Sequence, residues 1–283
     1  MEGCDITKED CMDVGNTPLT WAAGNGHEEV VEMLLRRDDL NAGKAGRYGR
    51  TPLWSAAQNG HEGVVKMLLG RSDVNSDEPD YNGQTPLWWA ARYGYEGVVK
   101  VLLGQDNVDP DKPDLSGRAP LWCSAENGHE GVVEILLGRS SVNPNRPGWQ
   151  SRTPLCCAAY HGHEAVVRVL LRRHDVNPEK RCWGGGTPLY YAAQNGQEGV
   201  VEMLLGRDDV SPNTQAVHGE TPLCCAVQNG HEGVVKILLG RNDVDPNKPD
   251  SAGRTPHWWA NHLCHGRMVA LLQSAESTTP GAT

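Results

Sequence analysis

Residues 51–75, TPLWSAAQNGHEGVVKMLLGRSDVN, decide the fold, because the rest of the chain restates them. The Thr-Pro step recurs at Thr17, Thr51, Thr85, Thr153, Thr187, Thr221 and Thr255, and Ala119-Pro120 fills the one gap. Consecutive copies lie 34 residues apart in all seven intervals, so eight copies cover nearly the whole chain. A fixed period of this length is the signature of a solenoid. Positions within the unit are numbered below as slots 1–34, with Thr in slot 1.

One unit reads as two short helices and a connector. Thr51 suits a helix N-cap, and Pro52 suits the first helical position, where no amide partner is lost. Leu53, Ala56 and Ala57 give about two turns with small residues where a second helix must come close. Asn59-Gly60 ends that helix, since Gly takes the left-handed cap conformation without strain. His61-Glu62 opens the second helix and sets a carboxylate in its positively polarised first turn. Val64, Val65, Leu68 and Leu69 form one apolar face, and Gly70 stops the helix. The remaining slots hold Asp, Asn, Pro and Gly, which read as a hairpin or turn leading to the next Thr-Pro. A single unit cannot bury its apolar face, whereas stacked neighbours can. With helices about 8–10 Å apart, eight units are expected to build a curved rod.

The run TPLWSAAQNGHEGVVKMLL resembles the ankyrin repeat, over about residues 15–273. The phrases NGHEGVVK and LLGR, with Trp crowding after TPL, are also similar to ankyrin arrays of filamentous-fungal receptor-like, NACHT-type proteins. The resemblance implies an all-α ankyrin-repeat solenoid of stacked helix-turn-helix units with hairpin or turn connections. Three departures stand out. The His usual after TPL, which family members use for a hydrogen bond, is replaced by Thr20, Trp54, Trp88, Trp122, Cys156, Tyr190, Cys224 and Trp258. The usual Gly-Ala-Asp-Val-Asn turn is one residue shorter, as in Arg71-Ser72-Asp73-Val74-Asn75. The hairpin after it is two residues longer, as in Asp77-Glu78-Pro79-Asp80.

Three segments are expected: a partial N-terminal hairpin over 1–16, the array over 17–273 and a disordered polar tail over 274–283. The opening MEGCDITKEDCMD is too acidic and polar for a signal peptide, and no apolar run could span a bilayer. In the eighth copy His257, Asn261, Cys264 and Gln273 replace apolar or Gly residues, which reads as a polar cap. A formal charge of −10 argues against nucleic acid or an anionic membrane as partner. Apolar residues at 38% suffice for a thin stacked core that contains no Phe. Nine cysteines, five of them in slots 4 and 5 (Cys123, Cys156, Cys157, Cys224, Cys225), sit at packing positions rather than in a disulfide framework. Reduced thiols in the cytosol, or in the nucleus, are expected.

The eight copies serve as an internal alignment. Slots 1–3, 6, 7, 10, 14, 15, 18 and 19 barely vary and are assigned to packing and turns. Slot 31, at the hairpin tip, varies most: Arg47, Tyr81, Leu115, Trp149, Trp183, Val217 and Ser251. Slot 34 carries Arg50, Arg118, Arg152 and Arg254 among other residues. Slots 8 and 9 are mostly Gln-Asn or Glu-Asn but become Arg92-Tyr93 and Tyr160-His161. In ankyrin proteins hairpin tips and the end of the inner helix touch the partner, so the resemblance implies the same role here. Candidate partner-binding residues are therefore Tyr81, Arg92, Tyr93, Arg118, Trp149, Arg152, Tyr160, His161 and Trp183, as a strip along repeats two to five. Trp, Tyr and Arg most often anchor interfaces. The alternative is neutral drift, with Trp149 and Trp183 folded back on their own hairpins. The aromatics and cysteines of slot 5 (Trp21, Trp89, Cys123, Cys157, Tyr191, Cys225, Trp259) are either a groove floor or, as is more usual at repeat spacing, stacking between neighbouring inner helices.

No constellation for chemistry appears. The slot-11 histidines His27, His61, His129, His163, His231 and His265 recur with the repeat and read as framework. His257, His262, Cys264 and His265, and likewise Cys156 and Cys157 with His161 and His163, hold metal-competent side chains at spacings of no recognised zinc site. No phosphate loop or nucleophile elbow is present, and Gly184-Gly185-Gly186 falls in a hairpin. The expectation is a non-catalytic protein–protein interaction module, without cofactor or metal, monomeric, binding another protein through hairpin tips and the concave inner-helix face. A scaffold whose length is its function, or the recognition end of a larger receptor-like protein with an NTPase switch domain, are the alternatives.

Overall fold

Seven of the eight units open on a Thr whose hydroxyl accepts the amide of slot 4, at 3.0 Å for Thr51 and Trp54 and 3.1 Å for Thr85 and Trp88. Ala119 supplies no such cap, yet the Pro at the first helical position still starts the helix there. The computed structural model describes the backbone of residues 16–278 and the side chains of residues 16–275. The expected hairpin over 1–16 therefore lies almost wholly outside the described residues.

Two compact units divide the chain, Met1–Asn143 and Pro144–Thr283. In the first, α1 (Pro18–Gly24) pairs with α2 (Glu28–Leu35), α3 (Pro52–Gln58) with α4 (Glu62–Leu69), α5 (Pro86–Tyr93) with α6 (Glu96–Leu103), and α7 (Pro120–Glu126) with α8 (Glu130–Leu137). In the second, α9 (Pro154–His161) pairs with α10 (Glu164–Leu171), α11 (Pro188–Gln194) with α12 (Glu198–Leu205), α13 (Pro222–Asn229) with α14 (Glu232–Leu239), and α15 (Pro256–His262) with α16 (Gly266–Thr278). Short 3₁₀ turns lie at Arg47–Gly49 and Trp149–Ser151, and the described residues contain no β-strand. The all-α architecture and the helix-turn-helix repeat match the expectation.

Helices of seven or eight residues are marginal in water by themselves, so the stack holds them. Inner helices touch inner helices (α1–α3–α5–α7; α9–α11–α13–α15) and outer touch outer (α2–α4–α6–α8; α10–α12–α14–α16). The core between them is the slot-3 Leu, slot-6 and slot-7 Ala, slot-14 and slot-15 Val and slot-18 Leu: Leu53, Ala56, Ala57, Val64, Val65 and Leu68 are all fully buried. Each buried Leu or Val contributes about 1.5–3 kcal/mol. Slot-4 indoles of Trp54, Trp88 and Trp122 are buried as completely. The indole of Trp88 donates to the Arg118 carbonyl at 2.8 Å, so in this repeat Trp supplies a hydrogen bond from the slot where the family His is missing, whereas the buried Trp54 indole N–H has no hydrogen-bond partner among the described residues.

Two polar ties join consecutive repeats. The slot-11 ring lies against the slot-10 glycine of the repeat before, and its N–H reaches a carbonyl at that helix's end: His61 to Gly24 O at 3.1 Å, His129 to Arg92 O at 2.9 Å, His231 to Gln194 O at 3.0 Å. A Cβ on Gly94 would stand 2.6 Å from the His129 ring, and its φ is +79°, so both space and backbone demand glycine. The slot-21 arginine donates to the carbonyl of the last outer-helix residue before it, as Arg71 to Leu35, Arg139 to Leu103 and Arg207 to Leu171. These carbonyls are among the four that every helix end leaves unpaired.

One boundary is corrected. The last helix does not stop at Gln273: α16 continues through 274–278, and the Ser274 hydroxyl donates to Leu271 O at 2.7 Å. Half of the tail expected to be disordered is helical; residues 279–283 are outside the described residues.

Candidate partner-binding surface

Every hairpin closes on itself by the same backbone bond, slot-30 N–H to slot-34 O: Gly46 to Arg50 at 2.8 Å, Asp80 to Gln84 at 3.0 Å, Gly148 to Arg152 at 2.9 Å, Cys182 to Gly186 at 3.0 Å. The slot-31 N–H then donates to slot 32 of the preceding hairpin. Within the first unit Tyr81 bonds Tyr48 O and Leu115 bonds Asn82 O, each at 2.9 Å. Within the second, Trp183 bonds Gln150 O at 2.9 Å, Val217 bonds Gly184 O at 3.0 Å and Ser251 bonds His218 O at 2.9 Å. The backbone of each of these five tips is thus fixed by its neighbour while the side chain projects. Tyr81 and Trp183 are each 74% exposed, Leu115 81%, Val217 66% and Trp149 53%. Leu115 and Val217 belong with the aromatic tips, although only the aromatic members carry the chemistry that singles out an anchor in a sequence.

The slot-34 arginines sit deeper than their chemistry suggests. Arg118 donates from Nε to Asp114 Oδ2 at 2.8 Å, and its guanidinium lies 5.2 Å from the Trp88 ring centroid. The Asp114 side chain is 1% exposed and that of Arg118 only 25%, so this pair buttresses the hairpin. Arg152 lies 4.3 Å from the Tyr160 ring and 5.2 Å from Tyr191, and Arg254 lies 4.3 Å from Trp259.

At the end of the inner helix, slot 9 is a structural cap in most repeats. The amide Nδ2 of Asn59, Asn127, Asn195 and Asn229 donates to the slot-5 carbonyl at 2.8–2.9 Å. Tyr93 replaces that Asn and stacks on Trp89 instead, centroids 5.6 Å apart, remaining 46% exposed. Beside it Arg92 lies 5.6 Å from the Trp88 ring. His161 also replaces Asn, is exposed, and meets Tyr160 edge-on at 4.9 Å.

The structure therefore gathers the candidates into separate groups. In the first unit Arg92, Tyr93 and Arg118 share the Trp88–Trp89 cluster, with Tyr81 apart at its tip. In the second, Arg152 and Tyr160 lie against Tyr191, with His161 against the edge of Tyr160; the Tyr191 hydroxyl donates to Trp183 O at 3.0 Å, and Arg152 N–H donates to Trp149 O at 3.2 Å. Trp149 is half out of its turn, neither folded away nor fully projecting.

Slot 5 divides. Cys123, Cys157, Cys225 and Tyr191 are buried in the stack, Trp89 is half-buried against Trp54, and only Trp21 is exposed to 50%. Burial pushes the Cys123 and Cys224 thiols up and the Cys225 thiol to about 12, which leaves little thiolate at neutral pH. Among the described residues no three His, Cys, Asp or Glu side chains converge as a metal set. The His262 ring stacks on Trp258 at 4.6 Å, and His265 Nδ1 pairs with Val227 O at 3.0 Å. No helix among the described residues is long and apolar enough to cross a membrane.

Comparison with family models gives a match to Ankyrin repeats (3 copies) over residues 1–78, 70–148 and 140–216, and to Ankyrin repeat over 218–251. The comparison with curated proteins gives no match. Matches spread over most of the chain, together with the capped helix pairs and the ties between repeats, make this a member of the ankyrin-repeat family.

Proposed function

We propose that the chain is a non-catalytic protein–protein interaction module whose hairpin tips and inner-helix ends grip another protein. The reading rests on the slot-31 side chains. Tyr81, Leu115, Trp183 and Val217 are large, apolar and more than 60% exposed, on backbone that the neighbouring hairpin already holds. Nothing in the packing asks for an indole at Trp183. Exposed apolar residues that cluster mark contact surfaces, and aromatic members are the ones that anchor. Tyr93 and His161 support the same reading, because each gives up an Asn cap that other repeats keep. Arg118 and Arg152 serve as struts under this surface. The partner is proposed to be a protein rather than nucleic acid, given the net charge of −10.

A pull-down with the full chain tests this, repeated with the double variant Trp149→Ala/Trp183→Ala and with Tyr81→Ala. The captured partner should be lost at least tenfold while the melting midpoint stays within a degree or two. Retained capture with a lowered midpoint would place these residues in the structure instead.

A further inference from the structure

In the fifth and seventh repeats the slot-4 side chain, in the first turn of the inner helix, lies under the start of the hairpin that leaves the same unit, where slot 30 sits. In the seventh repeat these slots hold Cys224 and Asp250, and the Cys224 thiol donates to the slot-28 carbonyl of Lys248 at 3.8 Å. The fifth repeat holds a cysteine in both. Cys156, fully buried, sends the equivalent bond to Lys180 O at 3.7 Å, and Cys182, 6% exposed, packs against it in a cluster closed by Tyr191, Tyr160 and Tyr190. From this juxtaposition we propose that Cys156 and Cys182 form a modification site, closing reversibly into an intramolecular disulfide by exchange with a low-molecular-weight disulfide such as oxidised glutathione.

The local chemistry assigns the order of events. Cys182 stands on the hairpin between exposed Arg181 and Trp183, so it is the thiol an incoming reagent reaches first. Its thiolate attacks one sulfur of RSSR, the S–S bond breaks, and RS⁻ leaves and takes up a proton. The Cys156 thiolate then attacks Sγ of Cys182, forming the Cys156–Cys182 bond and expelling the second RS⁻. Two thiol hydrogens and two electrons pass to the reagent, which ends as two RSH. Cys156 is the better second nucleophile. In the reduced pair burial raises the Cys156 thiol, and hydrogen bonds from Cys182 and the Thr153 cap, with the Arg152 charge nearby, bring it below the ordinary value. The bond from Cys182 is lost in the mixed disulfide, and the Thr153 cap and Arg152 remain to favour the thiolate beside Cys182 Sγ. The bond to Cys156, together with burial, pushes Cys182 up, so the first exchange is the slow step.

The test uses the full reduced chain, incubated with oxidised glutathione, alkylated and digested under non-reducing conditions for mass spectrometry. Wild type and Cys157→Ser should yield the 156–182 linked peptide, reversed by dithiothreitol, with helicity unchanged by circular dichroism. Cys156→Ser should instead accumulate one glutathione on Cys182, and Cys182→Ala should give no link. The link encloses about 27 residues, so the oxidised chain should melt roughly 5–10 °C higher. Three results would overturn the proposal: both thiols alkylated singly after oxidation, a link made by Cys157, or a link that forms only in urea or lowers the melting midpoint.

Discussion

Hairpins Asp80–Gln84 and Gly148–Arg152 close by the same backbone bond, yet different chemistry makes each closure. In the first, Asp80 Oδ1 accepts the amides of Asn82 and Gln84, both at 2.9 Å, and only Gly83 has positive φ. Asp114 and Asp250 repeat this arrangement, each adding a slot-34 arginine on Oδ2. In the second, slot 30 is Gly148, which offers no carboxylate. The turn is made instead by Gln150 and Ser151, both left-handed at φ 56° and 54°. Tyr48 and Gly49, at φ 61° and 78°, do the same near Gly46. A carboxylate that gathers amides lets ordinary residues form the tip; in the two hairpins that have Gly at slot 30, non-Gly residues accept left-handed conformations that cost about 1–2 kcal/mol each. The Asp-built tips are thus stabilised by side chains and the two Gly-started tips carry strain, while the Cys182 and Ala216 hairpins put glycine at each positive φ.

The comparison breaks most severely at Asp114. Replacing it with Ala leaves two amides unpaired and the partly buried Arg118 charge without its carboxylate. The expected loss is about 3 kcal/mol or more, read as a lower urea midpoint, while Gln150→Ala at the other kind of tip should change little. Equal effects at both sites would erase the distinction.

Glycine at slot 33 separates strain from crowding. Gly219 has φ +80°, and a Cβ there would stand 2.5 Å from the Ser251 amide nitrogen; Gly253 has φ +76° with nothing within 4 Å. Gly253→Ala should cost only the backbone penalty, about 1 kcal/mol, and Gly219→Ala clearly more. In the strained tip the sign reverses: Ser151→Gly should stabilise by about 1 kcal/mol. Chemical denaturation of the three variants orders them.

Acid titration sharpens the same contrast. Burial raises the Asp250 carboxyl, but the Arg254 amide and guanidinium, the Ala252 amide and the Trp259 indole together hold it below the usual carboxylate range. A folded value below the unfolded one means its stabilisation is present above the ordinary pKa of about 4 and is lost as pH falls through the folded value. Asp77 goes the other way. Burial raises it despite Lys112 at 2.7 Å, so its contribution is present below the ordinary pKa and is lost as pH rises through the folded value. Urea midpoints from pH 6 downward should fall less steeply for Asp250→Asn than for wild type, and more steeply for Asp77→Asn. A common slope would refute both assignments.

Thr-Pro, the Leu and Val slots and the Asn-Gly stop carry the helices legibly in the sequence, because each is a local pattern repeated eight times. What stays hidden depends on neighbours 34 residues away. The slot-11 histidine declares itself as framework by recurring, but its bond to the preceding slot-8 carbonyl requires knowing which faces meet. Arg118 has the chemistry of an interface anchor, and nothing in slot statistics shows that Asp114 turns it inward. The end of α16 is misplaced for another reason: the repeat pattern runs out at Gln273, but no Gly or Pro stops the helix before Pro280, so it continues.

The smallest effect on stability is expected where the effect on binding is largest. Tyr81 and Trp183 expose 74% of their surface, and their backbone bonds to Tyr48 and Gln150 need no side chain. Each change to Ala should therefore move the unfolding free energy by about 0.5 kcal/mol or less, far below Asp114→Ala, which is one residue from the Leu115 tip. Tyr81 offers the stricter case, because its ring also covers Gly49, where a Cβ would meet ring carbon at 2.7 Å. If Tyr81→Ala costs well above 1 kcal/mol while Trp183→Ala costs nothing, the tyrosine is a lid over the strained Tyr48–Gly49 turn. The exposed surface proposed for contact would then begin at Leu115 in the first unit.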